Sequence, residues 1–202
     1  WFQSHGQSLK SIYHVDVYLK DLKQFEIFNT FYAAFFGEIS PSRCCIETQL
    51  PMGVACRLLL TLRFGYNFLL TDPSFKTTLH VQSISTWAAA CIGPYSQAKD
   101  VEGCISISGI IGLIPHSMLF PEETLLHRIF TVKNTSTSSA DVSRAIQLLL
   151  AVRSLQNIMK EMHSCLHRIP FLVVYVARAP HETFLNTTLL ESMINFVWDR
   201  LP

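Results

Sequence analysis

The seven residues from Ile92 to Ala98 form the stretch of the chain whose residue types are best suited to chemistry. Proline fixes φ and glycine adopts conformations that other residues avoid, so Gly93 and Pro94 predict a turn. The turn presents the three polar residues that follow it, just before an apolar run that ends at Ser108. A polar loop beside a buried strand is a common way to build a small-molecule site, although a plain surface turn has the same composition.

The composition of the chain narrows the classes of partner. Of its 202 residues, 49% are hydrophobic and 15% are charged, which is enough for a sizeable core and for some contact with another subunit. The 16 basic and 15 acidic residues predict no nucleic-acid partner. No signal peptide is visible and no apolar run approaches the roughly 20 residues that span a bilayer, so we expect no membrane partner.

The six cysteines include no Cys-x-x-Cys pair and lie mostly in apolar runs. We therefore expect buried free thiols and a reducing, cytoplasmic location. The histidines predict no metal site, because His163 and His167 are four residues apart but lack a third ligand.

The first 37 residues predict a strand and a helix. Apolar and polar residues alternate from Ile12 to Leu19, as in a half-buried strand. Asp21 can cap the helix that helical spacing of aromatic residues predicts over Leu22–Phe36, and Gly37 ends it.

The rest of the chain predicts strands, a connector at residues 63–83, and two further helices. The predicted strands are Cys44–Leu50, Val54–Leu62, His80–Ile84, a strand-rich run over Val101–Ile114, and a buried Phe171–Ala177. The predicted helices are Val142–His163, capped by Asp141 and carrying an apolar stripe with Met159 and Met162 as core residues, and Glu182–Trp198.

An internal repeat relates the two ends of the chain. Tyr18 and Tyr175 lie in similar strand-like runs, and Asn29 and Asn186 lie in the helical segments that follow them. Both pairs are 157 residues apart, so we expect two related units of α+β type.

Three stretches match motifs of one known family. They are Ile92–Ala98 with Ser108-Gly109, Val17–Gly37, and Pro41–Glu47 with Leu50-Pro51. Together they resemble the reactive-intermediate deaminase (Rid) family of small trimeric α+β proteins. The resemblance implies two incomplete Rid-like (chorismate-mutase-like) units, each a mixed or antiparallel sheet packed against two helices.

The resemblance also implies the boundaries of these units. Residues 1–62 would be the C-terminal portion of the first unit and residues 63–83 a connector. Residues 84–202 would be a second unit without its C-terminal strands.

The join at Leu79–Trp87 more narrowly resembles the tandem Rid region of diphthine–ammonia ligases. In that family a separate N-terminal domain uses ATP to activate diphthine on elongation factor 2, and ammonia forms the amide. No glycine-rich phosphate loop is present in this sequence, so the resemblance places ligase chemistry and ATP elsewhere in a parent protein and implies no cofactor here.

Rid proteins hydrolyse a 2-imino acid to a 2-keto acid and ammonia, and the resemblance implies which residues would bind such a ligand. Arg43 matches the arginine that binds the carboxylate, and Cys45 matches a small polar position nearby. Tyr95 and Ser108 match positions that line the pocket.

One expected group is absent, because Arg57 stands where the family has its catalytic acid. Glu47 lies on a different predicted strand and does not replace it. We therefore assign no catalytic residue.

Plain structural roles stay open for the same residues. Arg43 can be a strand-edge charge paired with an acid, Cys45 a packed thiol, Tyr95 a loop anchor and Ser108 a strand end. Three functions follow: an accessory region of a diphthine–ammonia ligase, with elongation factor 2 as a partner of the parent; a 2-imino acid deaminase; or a non-catalytic trimer-like scaffold. Homo-oligomers and packing of one Rid-like unit on the other are both compatible with these functions.

Overall fold

The structure is a computed structural model that describes residues 4, 9–37, 40–63, 76–121, 139–177, 188, 191–192 and 194–195. It is of α+β type, as predicted, with two three-stranded sheets and two long helices among these residues. The chain forms two compact units. Residues 1–83 and 90–109 make up the β unit, and residues 84–89 and 110–202 make up the helical unit. The boundaries predicted at residues 62 and 84 are those of the two Rid-like units, not of these compact units, and they stay a prediction.

The first sheet of the β unit is built around strand β1, Ile12–Leu19. It lies between β2, Ser42–Glu47, which is parallel to it, and β3, Cys56–Leu62, which is antiparallel. Alternate side chains of β1 face the core, and Val15 and Val17 are fully buried. The alternation in the sequence therefore predicted this strand correctly.

Helix α1, Phe25–Phe36, covers the buried face of this sheet. A short 3-10 turn precedes it, and the carboxylate of Asp21 accepts a hydrogen bond from the backbone of Lys23 (2.9 Å) at the start of that turn, as predicted. Tyr32 is the buried residue of the helix, whereas Phe31 and Phe35 are largely exposed. The aromatic residues therefore cover more of the helix surface than the sheet can bury.

The second sheet contains strands β4, Lys76–Leu79, β5, Ala98–Val101, and β6, Cys104–Ile107, all antiparallel. The strand predicted at His80–Ile84 was wrong, because the strand ends at Leu79, within the predicted connector. Beyond it the Gln97 amide accepts from the backbone N–H of Val81 (2.7 Å) and donates to its carbonyl (2.8 Å). A side chain thus satisfies groups that a neighbouring strand would otherwise pair.

The two sheets of the β unit meet at the beginning of β2. Ser42 forms a parallel bridge with Ser96, whose backbone N–H donates to the Pro41 carbonyl (3.2 Å). The N–H of Gly109 donates to the carbonyl of Arg43 (3.0 Å). These bonds hold Arg43 beside the turn at residues 92–95.

The helical unit is organised by helix α2, Ser139–Glu161. It begins earlier than predicted, so Asp141 lies inside the first turn and pairs with Arg144 (3.1 Å) instead of capping the helix. Met159 and Met162 are buried, as predicted. His163 ends the helix in the left-handed region (φ 55°), and the following N–H donates back to the Met159 carbonyl, which forms a Schellman motif.

The predicted buried strand Phe171–Ala177 was wrong. This segment is in neither a helix nor a strand, and its first five side chains are 38–78% exposed. Its apolar run lacks a pairing strand among the described residues, and a run of this kind does not form a strand alone. Of the predicted helix at 182–198, residues 188, 191–192 and 194–195 are helical, and the other positions lie outside the described residues.

Within the part of the chain that the structure describes, no helix is both long enough and apolar enough to cross a membrane.

Candidate anion-binding site

Arg43, on strand β2, is buried to 2% exposure and carries an unsatisfied charge. Both of its terminal nitrogens, Nη1 and Nη2, lack a hydrogen-bond partner among the described residues. Burial lowers the pKa of the guanidinium from its ordinary value. Because a buried, unpaired charge costs several kcal/mol, this arrangement is characteristic of a site that receives an anion.

Four aromatic rings surround the guanidinium. Its carbon Cζ lies 4.7 Å from the ring centre of Tyr32, 4.8 Å from Tyr95, 5.4 Å from Phe25 and 5.9 Å from Phe28. Cation–π contacts at these distances stabilise a partly desolvated arginine. They satisfy none of its N–H donors, so hydrogen-bonding capacity remains for a ligand.

The turn leaves no room for a side chain at position 93, which explains why a glycine stands there. A Cβ there would lie 2.7 Å from Nη2 of Arg43 and 3.1 Å from Nδ2 of Asn29. The glycine therefore allows the turn to approach the guanidinium closely. Of the residues predicted for the loop, this turn brings Tyr95 into the site.

Two residues of the site were not predicted from the sequence. Asn29 Oδ1 and the Tyr32 hydroxyl are both buried without a partner among the described residues. Both lie on α1, three residues apart, and so point to the same side of the helix. The site therefore offers N–H donors from Arg43, an acceptor from Asn29 and a hydroxyl from Tyr32.

Both tyrosines of the site stay protonated at neutral pH. Burial raises the pKa of Tyr95 to about 12, and burial also raises that of Tyr32. The Tyr95 hydroxyl accepts a long hydrogen bond from the backbone N–H of Ile92 (3.4 Å), which fits the predicted role of a loop anchor. Neither tyrosine can act as a general base in this state.

Ser108 contacts the backbone of the site. Its hydroxyl donates to the Ser96 carbonyl (2.5 Å) and accepts from the backbone N–H of Arg43 (2.7 Å). Ser108 therefore holds strand β2 against the segment that follows the turn, and its proton is committed to a carbonyl.

The thiols near Arg43 are not activated. Burial raises the pKa of Cys45, and the nearby guanidinium only partly opposes this. Burial raises the pKa of Cys91 to about 12 and that of Cys44 to about 11. Thiols in this state are poor nucleophiles.

The expectation that the thiols are buried was wrong for the other three cysteines. Cys56, Cys104 and Cys165 are exposed instead of buried, and all six cysteines are free.

No carboxylate pairs with Arg43 among the described residues. Glu47 lies at the other end of β2, where its Oε2 accepts from the backbone N–H of Leu22 (2.8 Å). Arg57 is exposed on β3, opposite Tyr18 of β1. The group that would position a water for imine hydrolysis is therefore missing from the described site.

A second polar cluster on the same strands has the residue types of a hydrolytic triad. Ser42 Oγ lies 2.8 Å from His14 Nδ1, and His14 Nε2 lies 3.3 Å from Asp16 Oδ1. Ser42 is fully buried, however, and its Oγ also lies within hydrogen-bond distance of the Ser106 hydroxyl (2.9 Å). A substrate cannot reach it, so this cluster links strands and is not a nucleophilic site.

Among the described residues, no three or more His, Cys, Asp or Glu side chains are grouped so that they could hold a metal ion.

Comparison with known proteins identifies two groups of homologues. The chain is 42% identical to a RutC family protein of Pyrococcus horikoshii over 53 residues, which are 26% of this chain and 42% of that protein. It is 35% identical over 147 residues to the diphthine–ammonia ligase of Schizosaccharomyces pombe, and 34% identical over 110 residues to that of Saccharomyces cerevisiae. These matches cover 72% and 50% of this chain.

The homologues are therefore proteins of the RutC/Rid class and, over a longer stretch, diphthine–ammonia ligases, which confirms the resemblance predicted from the sequence. The matched region spans only 22% and 16% of the two ligases, so it corresponds to a limited part of them. No protein-family model matches the chain.

Solved structures of similar proteins include yeast Mmf1 and the yeast protein YEO7, each with a TM-score of 0.28. The sequence identities are 33% and 30%, over 29% of this chain and 48% of each of those chains.

Proposed function

We propose that this chain is a Rid-like accessory region of a diphthine–ammonia ligase-like protein and that its Arg43 site binds a small carboxylate. The homology to diphthine–ammonia ligases supports the first part. For the whole protein we propose ATP-dependent amidation of diphthine on elongation factor 2, in the cytoplasm, with the ATP-binding domain outside this chain.

We further propose that the chain contains two related Rid-like units. Two 3-10 turns support this, because Leu9–Ser11 and Leu166–Arg168 are 157 residues apart, the spacing of the repeat. The helix end supports it as well. His163 adopts the left-handed conformation that favours glycine, and the residue 157 positions earlier is Gly6.

The unsatisfied guanidinium of Arg43 is the observation that carries the binding proposal. A carboxylate matches the planar fork of a guanidinium and can accept two parallel hydrogen bonds from it. Arg43 is only 2% exposed, so little bulk water competes for it, which strengthens such a pair. The aromatic rings that surround it favour a small ligand over a bulky one.

The test is thermal unfolding of the full chain with pyruvate, 2-oxobutyrate or propionate, and with propionamide as the neutral equivalent. We expect the carboxylates to stabilise the protein, by about 2.7 kcal/mol at a concentration of 100 times Kd, and the amide to have no effect. Arg43→Lys should weaken the effect at least tenfold, because lysine cannot form the bidentate pair.

Arg57→Lys is the matched control for this test. The change is the same, but Arg57 is exposed, so the carboxylate effect should be unchanged. Equal stabilisation by propionate and propionamide, or a full effect in Arg43→Lys, would disprove the binding proposal.

Imine deamination is the alternative, and the convergence of Arg43, Cys45 and Tyr95 supports it. A freshly generated 2-imino acid would be followed as it decays with and without the protein. Because no carboxylate reaches the described site, we expect no acceleration. Acceleration that disappears in Arg43→Ala would favour the deaminase over the accessory role.

A further inference from the structure

The Arg43 site contains a hydrogen-bond acceptor that a simple carboxylate would leave unsatisfied. The side-chain oxygen of Asn29, Oδ1, is buried and has no hydrogen-bond partner among the described residues. A carboxylate bound to the guanidinium carries only acceptors, so it cannot donate to this oxygen. The site therefore fits a ligand that carries a donor as well as a carboxylate.

The oxygen of Asn29 lies close to the guanidinium of Arg43. Nη2 of Arg43 and Oδ1 of Asn29 lie 2.7 Å and 3.2 Å from the same point, which is where a Cβ of residue 93 would stand. A ligand that reaches both groups must carry its donor close to its carboxylate. A hydroxyl on carbon 2, the carbon next to the carboxylate, meets this condition.

Tyr32 provides a donor that complements the acceptor of Asn29. Its hydroxyl is buried without a partner among the described residues, and its ring lies against the guanidinium, with 4.7 Å between the ring centre and Cζ. A ligand hydroxyl can donate to Asn29 and accept from Tyr32 at the same time. An oxo oxygen can only accept, so a 2-oxo acid would leave the Asn29 oxygen buried and unsatisfied.

The charge of the site argues against a 2-amino acid, which also has a donor on carbon 2. Its ammonium group would bring a second positive charge close to the buried guanidinium. No carboxylate of the described residues pairs with Arg43, so nothing in the described site offsets the repulsion. A neutral hydroxyl supplies the same donor without this cost.

We propose that the Arg43 site selects 2-hydroxy acids. The carboxylate pairs with the guanidinium, and the hydroxyl on carbon 2 donates to Asn29 and accepts from Tyr32. This inference rests on the carboxylate site proposed above and names the class of ligand that it takes. Asn29 is the specificity-determining residue, because its oxygen distinguishes a donor from an acceptor at carbon 2.

Isothermal titration calorimetry of the full chain tests the selection with ligands of one carbon skeleton. Lactate, pyruvate, propionate and alanine carry a hydroxyl, an oxo group, hydrogen and an ammonium group on carbon 2. The Kd of the better lactate enantiomer should be at least about tenfold lower than those of pyruvate and propionate, because only lactate satisfies the Asn29 oxygen. Alanine should bind most weakly.

Asn29→Leu removes the acceptor and keeps a side chain of similar size. Lactate should lose its advantage over propionate in this variant, whereas the Kd of propionate should change little. Thr30→Val is the matched control, since Thr30 is exposed on the same helix and its hydroxyl donates to the carbonyl of Glu26 (3.2 Å). It removes one polar group and should leave the preference for lactate intact.

The outcomes separate the two proposals. A wild-type Kd for lactate that is no lower than that of propionate, pyruvate or alanine would overturn the selection and leave the carboxylate site in place. A preference for lactate that persists in Asn29→Leu would do the same. Absence of binding by all of these carboxylates would overturn the site and the selection together. The ligand series on the wild type requires no variant to fold.

Discussion

Arg43 carries a charge where a neutral side chain of similar size would be more stable. Removing a guanidinium from water costs several kcal/mol, and it has no hydrogen-bond partner at its terminal nitrogens. The surrounding rings return about 1–2 kcal/mol through cation–π contacts. The desolvation cost is the larger of the two effects. The arginine therefore lowers the stability of the protein without a ligand, and it provides a site that can bind an anion.

We therefore predict that Arg43→Met stabilises the protein in the absence of an anion. Methionine fills a similar volume and contacts aromatic rings favourably, and the free energy of unfolding should rise by about 1–2 kcal/mol. Urea unfolding in a buffer without carboxylates measures this change. In saturating propionate the order should reverse, because only the wild type gains from the ligand.

Arg57→Met is the control at an exposed position, where removal of the charge should change stability by less than about 0.5 kcal/mol. A lower stability of Arg43→Met without anion would show that the guanidinium has a partner that stabilises it.

Candidate site residues could be named in advance only where the chain matches motifs of the Rid family. Tyr95 follows the Gly-Pro turn of one motif and Arg43 matches the arginine of another, so the resemblance implied both as candidates. Asn29 and Tyr32 are ordinary residues for an amphipathic helix and were missed. Their importance lies in an unpaired oxygen on each, which depends on neighbours that are distant in sequence.

At the scale of elements, local patterns predicted the parts of the fold that depend on a single periodicity. Strand β1 follows from alternation, and the segment that leads into α1 follows from the Asp21 cap. Strand β4 was placed wrongly because its end depends on the Gln97 side chain, which occupies the backbone groups of Val81. The sequence around β4 contains no signal for that contact.

The exposure of the segment that begins at Phe171 and the exposure of Phe31 and Phe35 on α1 were missed for the same physical reason. Each has the apolar pattern of a packed element, yet each is exposed. Hydrophobic periodicity predicts that a face is to be covered, but it does not identify what covers it. A partner, a second copy or another segment gives the same pattern.

At the scale of the whole molecule, the raised pKa values of buried thiols and phenols predict alkaline instability. The pKa of Cys44 rises from 9.0 to about 11, and those of Cys91 and Tyr95 rise to about 12. The unfolded chain loses the thiol protons above about pH 9 and the Tyr95 proton above about pH 10, while the folded chain keeps them. The stability is therefore fully present below pH 9 and is lost as the pH rises toward 11–12.

Urea unfolding at pH 7.5, 9 and 10.5 measures this dependence. The free energy of unfolding should be lower at pH 10.5 than at pH 9, and Cys91→Ala should reduce the difference. Cys56→Ala, at an exposed position, serves as the control and should leave it unchanged. Stability that is constant over this range would contradict the burial of these groups.

The hydrogen bond between Ser108 and the backbone of Arg43 joins residues 65 positions apart in the chain. Contacts of such long range form late in folding, after the entropy of closing the intervening loop has been lost. The anion site is therefore complete only when both sheets of the β unit have formed and docked. A bound carboxylate should therefore leave the folding rate nearly unchanged and slow unfolding. Occupancy of the site would then increase the kinetic stability of the folded β unit.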